Sequence, residues 1–102
     1  MKIFAHRGYT KKGDAENTLE AFESAVAEKM CIELDVRLTK DGVPIVFHDA
    51  SLKRMTNNNL KLADINYGEL KDIKMKTGEA IPSLKETLEL VNGRTLLLIE
   101  LK

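Results

Sequence analysis

Ile32-Glu33-Leu34-Asp35-Val36 is the stretch on which the reading of this chain turns. Side chains alternate along a strand, so Ile32, Leu34 and Val36 share one face and Glu33 and Asp35 share the other. One face is apolar and the other carries two acids, which is not the pattern of a plain core strand. A buried carboxylate is costly unless it is paired or bound to a cation. The flanking segments decide the fold, and whatever the two acids face decides the function.

Upstream, residues 2–6 read as a short strand, and residues 7–14 are polar and glycine-punctuated, a loop. Asn17 with Glu20 reads as a helix cap and capping box, and Leu19, Phe22, Ala25 and Val26 follow at helical spacing to about Lys29. Downstream, Asp41-Gly42 is a turn signal between Cys31–Leu38 and the apolar run Val43–Phe47, so residues 31–47 resemble a hairpin. A two-residue turn sets Asp35 opposite His48, and a four-residue loop sets Glu33 there. Both registers put His48 on the acid face, with opposed Cβ atoms about 4.5–5.5 Å apart. Residues 49–62 and 74–82 read as loops, with a short helix from Asn66 to about Ile73 between them. Ser83 and Glu86 form a second capping box. Leu84, Leu88 and Val91 supply the apolar stripe of that helix, and Asn92-Gly93 its stop. Residues 95–101 are a continuous apolar run with one acid, Glu100, the pattern of a parallel strand buried on both faces. Strands alternating with helices predict an α/β fold on a parallel sheet.

Composition narrows the function. Sixteen basic and sixteen acidic residues cancel in a chain of 102, which argues against a nucleic-acid partner. No apolar run is long enough to span a membrane, and no secretory h-region follows Met1-Lys2. Cys31 is the single cysteine and reads as a small core residue. A reducing, cytoplasmic setting is the expectation.

In parallel α/β architectures function gathers at the carboxyl ends of the strands. Here those ends are His6, Asp35 to Arg37, and Glu100 to Lys102. Glu33, Asp35 and Glu100 would repel one another on convergence, so a proton or a cation must settle them. An all-oxygen set favours one hard divalent cation, Mg²⁺ or Ca²⁺. His6 and His48 suit acid–base work near neutral pH. Arg7 can clamp an anion in a fork, and Lys102 can add a point charge. Together these describe a phosphoryl-transfer site. Asn17 is assigned to capping and Asp49 to a structural role.

Ala5-His6-Arg7-Gly8, Glu16-Asn17-Thr18, Ile32 to Val36, Thr39 to Gly42, Phe47-His48-Asp49, Ile81 to Leu84 and Ile99 to Lys102, in this order and spacing, resemble the glycerophosphodiester phosphodiesterase family. The resemblance implies a TIM (β/α)8 barrel. This chain would supply its N-terminal part as one partial domain, residues 1–102, with about three barrel strands plus a hairpin return. The resemblance implies that the barrel is incomplete, cut off on the C-terminal side. The implied activity is hydrolysis of a small glycerophosphodiester to glycerol 3-phosphate and an alcohol. By resemblance Glu33, Asp35 and Glu100 hold the divalent metal, His6 and His48 are the acid–base pair, and Arg7 and Lys102 contact the phosphate. The neighbouring glycerol hydroxyl attacks phosphorus, and water opens the resulting cyclic phosphate. Two alternatives stay open: a sphingomyelinase-D-like or phosphatidylinositol-phospholipase-like enzyme, and a truncated, non-catalytic metal- or phosphate-binding fragment. An incomplete barrel leaves strand edges unpaired, which predicts a homo-oligomer or a complementing barrel fragment from another chain.

Overall fold

The computed structural model describes residues 3–10, 13 and 15–102. The expected strand start at Lys2 and three loop positions (Lys11, Lys12 and Asp14) lie outside them. In chain order the elements are β1 (Phe4–His6), α1 (Leu19–Ala27), β2 (Cys31–Leu38), β3 (Pro44–Val46), α2 (Tyr67–Leu70), α3 (Leu84–Val91) and β4 (Leu97–Leu101). A 3-10 turn at Leu62–Asp64 precedes α2.

β2 is the centre of the sheet. β1 and β4 pair with it in parallel, and β3 pairs with it antiparallel. β1 and β3 share one edge in series: β1 covers Cys31 to Glu33, and β3 takes over at Val36 to Leu38. Backbone bonds from Arg7 N to Glu33 O and from Phe47 N to Asp35 O mark the handover. β4 covers the other edge from Ile32 to Val36.

The apolar face of β2 behaves as its alternation predicts. Ile32, Leu34 and Val36 pack with Phe22 and Ala25 of α1, Val46 of β3 and Val91 of α3. The opposite face carries the acids. A second core forms around Ile45 and Phe47, with Leu52, Leu62, Ile65, Leu70, Met75 and Ile81. Most of these residues come from stretches read as loops. Backbone bridges Ser51–Lys61, Thr56–Met75 and Lys74–Ala80 tie that segment to itself, and the Ile45–Ser83 bridge joins its end to β3. Its apolar residues arrive singly and without period, so no sequence window reveals them.

Four local expectations are corrected. Asn17 does not cap α1: the cap is Thr18, whose Oγ1 accepts from Ala21 N at 3.2 Å. The hairpin loop has neither two nor four residues. Thr39 N bonds Val43 O, leaving Lys40, Asp41 and Gly42 in the loop, with Gly42 at φ 79°. Thr39 Oγ1 bonds Asp41 Oδ1 at 2.6 Å, which stabilises this tighter closure. Third, α2 is a single turn, and Asp41 Oδ1 rather than the Asn66 side chain accepts from Tyr67 N, at 3.0 Å. Fourth, Leu88 of α3 is exposed while Thr87 is buried, so the inward stripe of this helix runs through Leu84, Thr87 and Val91. The Ser83–Glu86 capping box forms as expected, with bonds of 2.9 and 3.0 Å.

β4 is parallel, as expected, but it is not buried on both faces. Leu98, Ile99 and Leu101 are exposed, and among the described residues no strand pairs with its outer edge. Among the described residues no helix is long and apolar enough to cross a membrane.

Candidate active site

Ladder register gathers the predicted residues. In parallel pairs, residues opposite each other across the ladder share a face. His6 pairs with Glu33, and Asp35 pairs with Glu100. Glu33 and Asp35 share a face by alternation, so all four residues stand on the sheet face opposite α1 and α3. His6 Nε2 lies 3.7 Å from Glu33 Oε1. Lys102 Nζ lies 3.1 Å from Glu100 Oε1 and 4.0 Å from Asp35 Oδ1, so a cation already sits between these two carboxylates.

Asp35 is the most enclosed member, with a side chain only 3% exposed. Its Oδ2 accepts from Asn17 Nδ2 at 3.1 Å and lies 3.4 Å from Arg7 Nε. Asn17 Oδ1 and Arg7 Nε are buried polar atoms with no hydrogen-bond partner. Such atoms are uncommon in folded proteins and mark a site of strain or of a missing ligand. Arg7 and Asn17 are also the two ends of a backbone clasp: Asn17 N donates to Arg7 O at 2.7 Å, and both residues have left-handed backbone, at φ 59° and 54°.

His48 reaches this end of the sheet by another route. The three-residue hairpin loop sets Phe47, not His48, opposite Asp35. His48 is therefore not the cross-strand neighbour of either acid. β3 ends at Val46, and the chain peels away, fixed by Arg37 Nε donating to His48 O at 2.7 Å. His48 Nδ1 is 2.7 Å from Asp49 Oδ1. Hydrogen bonds from Arg54, opposed by partial burial and helped by His48, hold the Asp49 carboxyl at about 2. Asp49 is thus a carboxylate that can only accept. The Nδ1 proton of His48 must donate to it, and the neutral ring keeps its lone pair on Nε2.

Arg54, Glu16 and Asn17 are the residues that sequence reasoning missed. Glu16 accepts from Arg7 Nη1 at 3.0 Å and from Arg54 Nη1 and Nη2 at 3.1 and 2.8 Å. Burial pushes the Glu16 carboxyl up, but the bonds and charges of Arg54 and Arg7 outweigh it and leave it below the ordinary range. Nothing in the pattern around Arg54 distinguishes it from a solvated cation, and Asn17 was masked by its cap-like spacing to Glu20.

Among the described residues no three His, Cys, Asp or Glu side chains close around a common point that would hold a metal ion. The donor chemistry nevertheless fits a hard cation: three carboxylates on one face, a buried amide oxygen without a partner beside them, and an ammonium already drawn between two of them.

Parallel β/α units with ionisable side chains at the strand ends define the class: a segment of a TIM-type β/α barrel with its polar residues at the functional rim. The chain belongs to the glycerophosphoryl diester phosphodiesterase family, whose sequence model matches residues 6–102. It is 45% identical to a glycerophosphodiester phosphodiesterase of Bacillus altitudinis, over 99% of this chain and 44% of that protein. It superposes on a glycerophosphodiester phosphodiesterase of Agrobacterium tumefaciens with a TM-score of 0.91 at 34% identity, covering 99% of this chain and 47% of the other. A phosphodiesterase of Oleispira antarctica, solved with the product sn-glycerol-3-phosphate, gives 0.90 at 32% identity, covering 100% and 44%. The chain therefore spans less than half the length of these relatives, and its fold is part of their barrel, with an open sheet.

Proposed function

We propose that this chain carries the metal-and-histidine part of a phosphodiesterase site that hydrolyses glycerophosphodiesters to glycerol 3-phosphate and an alcohol. The observation that carries this reading is the ladder register that sets His6, Glu33, Asp35 and Glu100 on one open face at the strand ends. Family membership, and a relative solved with sn-glycerol-3-phosphate, support the choice of substrate.

Glu33, Asp35 and Glu100 hold one divalent cation, Mg²⁺ or Ca²⁺. When bound, the ion lowers the pKa of the attacking hydroxyl and screens charge on the phosphoryl oxygens. His48 presents the Nε2 lone pair of a ring held by Asp49, which suits removal of a proton from the glycerol hydroxyl neighbouring the phosphate. That oxygen forms the new bond to phosphorus while the alcohol leaves, and His6 supplies the proton the alcohol needs. Water then opens the cyclic phosphate, with the proton transfers reversed. Arg7 and Lys102 hold the phosphoryl oxygens, Arg7 through its guanidinium and Lys102 as a point charge.

The test is release of glycerol 3-phosphate from glycerophosphocholine, in this chain and in a family barrel whose first 102 residues are replaced by it. Turnover that needs a divalent cation and is lost in Glu33→Ala and His48→Ala supports the reading. Turnover unaffected by chelator, or surviving both substitutions, contradicts it. A second reading is a non-catalytic metal- or phosphate-binding module. The open outer edge of β4 favours it for the isolated chain, and cation binding without turnover in either context would identify it.

A further inference from the structure

Resting on the assignment of His48 and Arg7 above, we infer that Arg54 is a positioning residue that sets both from outside the reaction centre. Its guanidinium spans two carboxylates. Nε and Nη2 donate to Asp49 Oδ2 and Oδ1 at 2.8 and 3.1 Å. Nη1 and Nη2 donate to Glu16 Oε1 and Oε2 at 3.1 and 2.8 Å. Four of its five N–H donors are thereby committed to two anions, an arrangement that only a planar fork can make.

Each anion then grips a different functional side chain. Asp49 Oδ1, which accepts from Arg54, also accepts from His48 Nδ1 at 2.7 Å. Glu16 Oε2, which accepts from Arg54, also accepts from Arg7 Nη1 at 3.0 Å. One guanidinium thus couples the chain leaving β3 to the loop leaving β1, residues 38 apart in sequence. Without it Asp49 keeps its charge but loses the two bonds that aim it, and a lone carboxylate next to an imidazole in half-open solvent does not hold a tautomer. Glu16 likewise keeps only Arg7. Arg54 touches neither Glu33, Asp35 nor Glu100, and its side chain is 49% exposed, so its removal leaves both cores intact.

The sequence signature of this device is Glu16, Asp49 and Arg54 standing beside Arg7 and His48. A surface Arg–carboxylate pair usually contributes little. Here the consequence lies in geometry, because an orienting partner fixes which ring nitrogen carries the proton.

The test is the tautomer of His48, read by long-range ¹H–¹⁵N correlation on ¹⁵N-histidine-labelled chain at a pH where the rings are neutral. Two histidines are present, and His6→Ala assigns the spectrum. The wild type should show a protonated Nδ1 and a bare Nε2. Arg54→Ala should move His48 to the Nε2–H form that free imidazole side chains prefer, and Arg54→Lys should leave a mixture. An unchanged His48 pattern in Arg54→Ala and Arg54→Lys, or an Nε2–H form in the wild type, would overturn the inference. In the barrel chimera Arg54→Ala should lower kcat about tenfold to 100-fold, with a smaller rise in KM through Arg7, less than the ~10²–10⁴ that an acid–base group supplies. A loss confined to KM would also overturn it. A tautomer shift alongside no turnover in either the chain or the barrel chimera would sink the phosphodiesterase reading and leave the role of Arg54 standing.

Discussion

Asn17 and Asp35 are joined by a buried hydrogen bond, Nδ2 donating to Oδ2 at 3.1 Å across 18 residues of sequence. The bond satisfies one oxygen of the most enclosed carboxylate in the site, and it exists because Thr18 has taken over the capping of α1. Asn17→Ala should therefore lower stability by about 1.5–3 kcal/mol, the range for a hydrogen bond to a charged group. A substitution effect below about 0.5 kcal/mol in urea unfolding would mean that the amide does not hold Asp35.

Thr18→Ala should cost about 1 kcal/mol, the usual loss for an N-cap. The contrasting pair is Asp41 and Asn66. Asp41 Oδ1 receives Tyr67 N, whereas the Asn66 side chain makes no capping bond. Asp41→Ala should lower the melting temperature and Asn66→Ala should leave it nearly unchanged. The reverse order would restore Asn66 as the cap.

Gly8 sits where α1 meets the strand end. A Cβ there would lie 2.7 Å from Ala21 Cβ and 3.0 Å from Ala21 C, at φ +92°. Gly13 has nearly the same φ, +93°, with nothing within 4 Å of its Cβ position. Gly8→Ala should cost about 2–4 kcal/mol from overpacking and strain together, and Gly13→Ala about 1–2 kcal/mol from strain alone. Equal losses in chemical denaturation would mean that the close approach to Ala21 is not a constraint.

The Arg54 network gives a pH signature. Asp49 is held at about 2 against an ordinary value of 3.8, chiefly by hydrogen bonds from Arg54. A carboxyl depressed in the folded state contributes stability that is full above its unfolded value and is lost as pH falls through its folded value. The stability difference between wild type and Arg54→Ala should therefore be largest above about pH 4 and shrink toward pH 2. Because these groups are partly solvated, the difference should also shrink in high salt. A difference that is flat from pH 7 to pH 2 would separate the stability effect from Asp49.

The exposed Leu98, Ile99 and Leu101 on a strand with an open edge should drive self-association of the chain. Sedimentation should give a mass above the 11.5 kDa of one copy, and Leu101→Lys should lower it. A monodisperse monomer with cooperative unfolding would contradict this.

The order of strands and helices was readable because the 2.0 period in β2 and the 3.6 period in α1 are clean, and Ser83 and Glu86 announce α3 directly. The ionisable residues at the strand ends were readable for the same reason, since alternation alone sets Glu33 with Asp35. Three things were not. The hairpin register hinged on a single residue of loop length, decided by the Thr39–Asp41 bond, and a slip of one moves His48 off the cross-strand position. The core under residues 49–82 is built from isolated apolar residues that only tertiary folding brings together. Arg54 is distinguished by partners 5 and 38 residues away, a relationship that local pattern does not carry.

The most direct test of the central claim is calorimetric titration of Mg²⁺ and Ca²⁺ into the chain and its Glu33→Ala, Asp35→Ala and Glu100→Ala variants. One ion should bind per chain, and each of the three substitutions should abolish or greatly weaken binding. Absence of binding in the folded wild type, or binding that survives all three substitutions, would contradict the assignment of these carboxylates as a metal site.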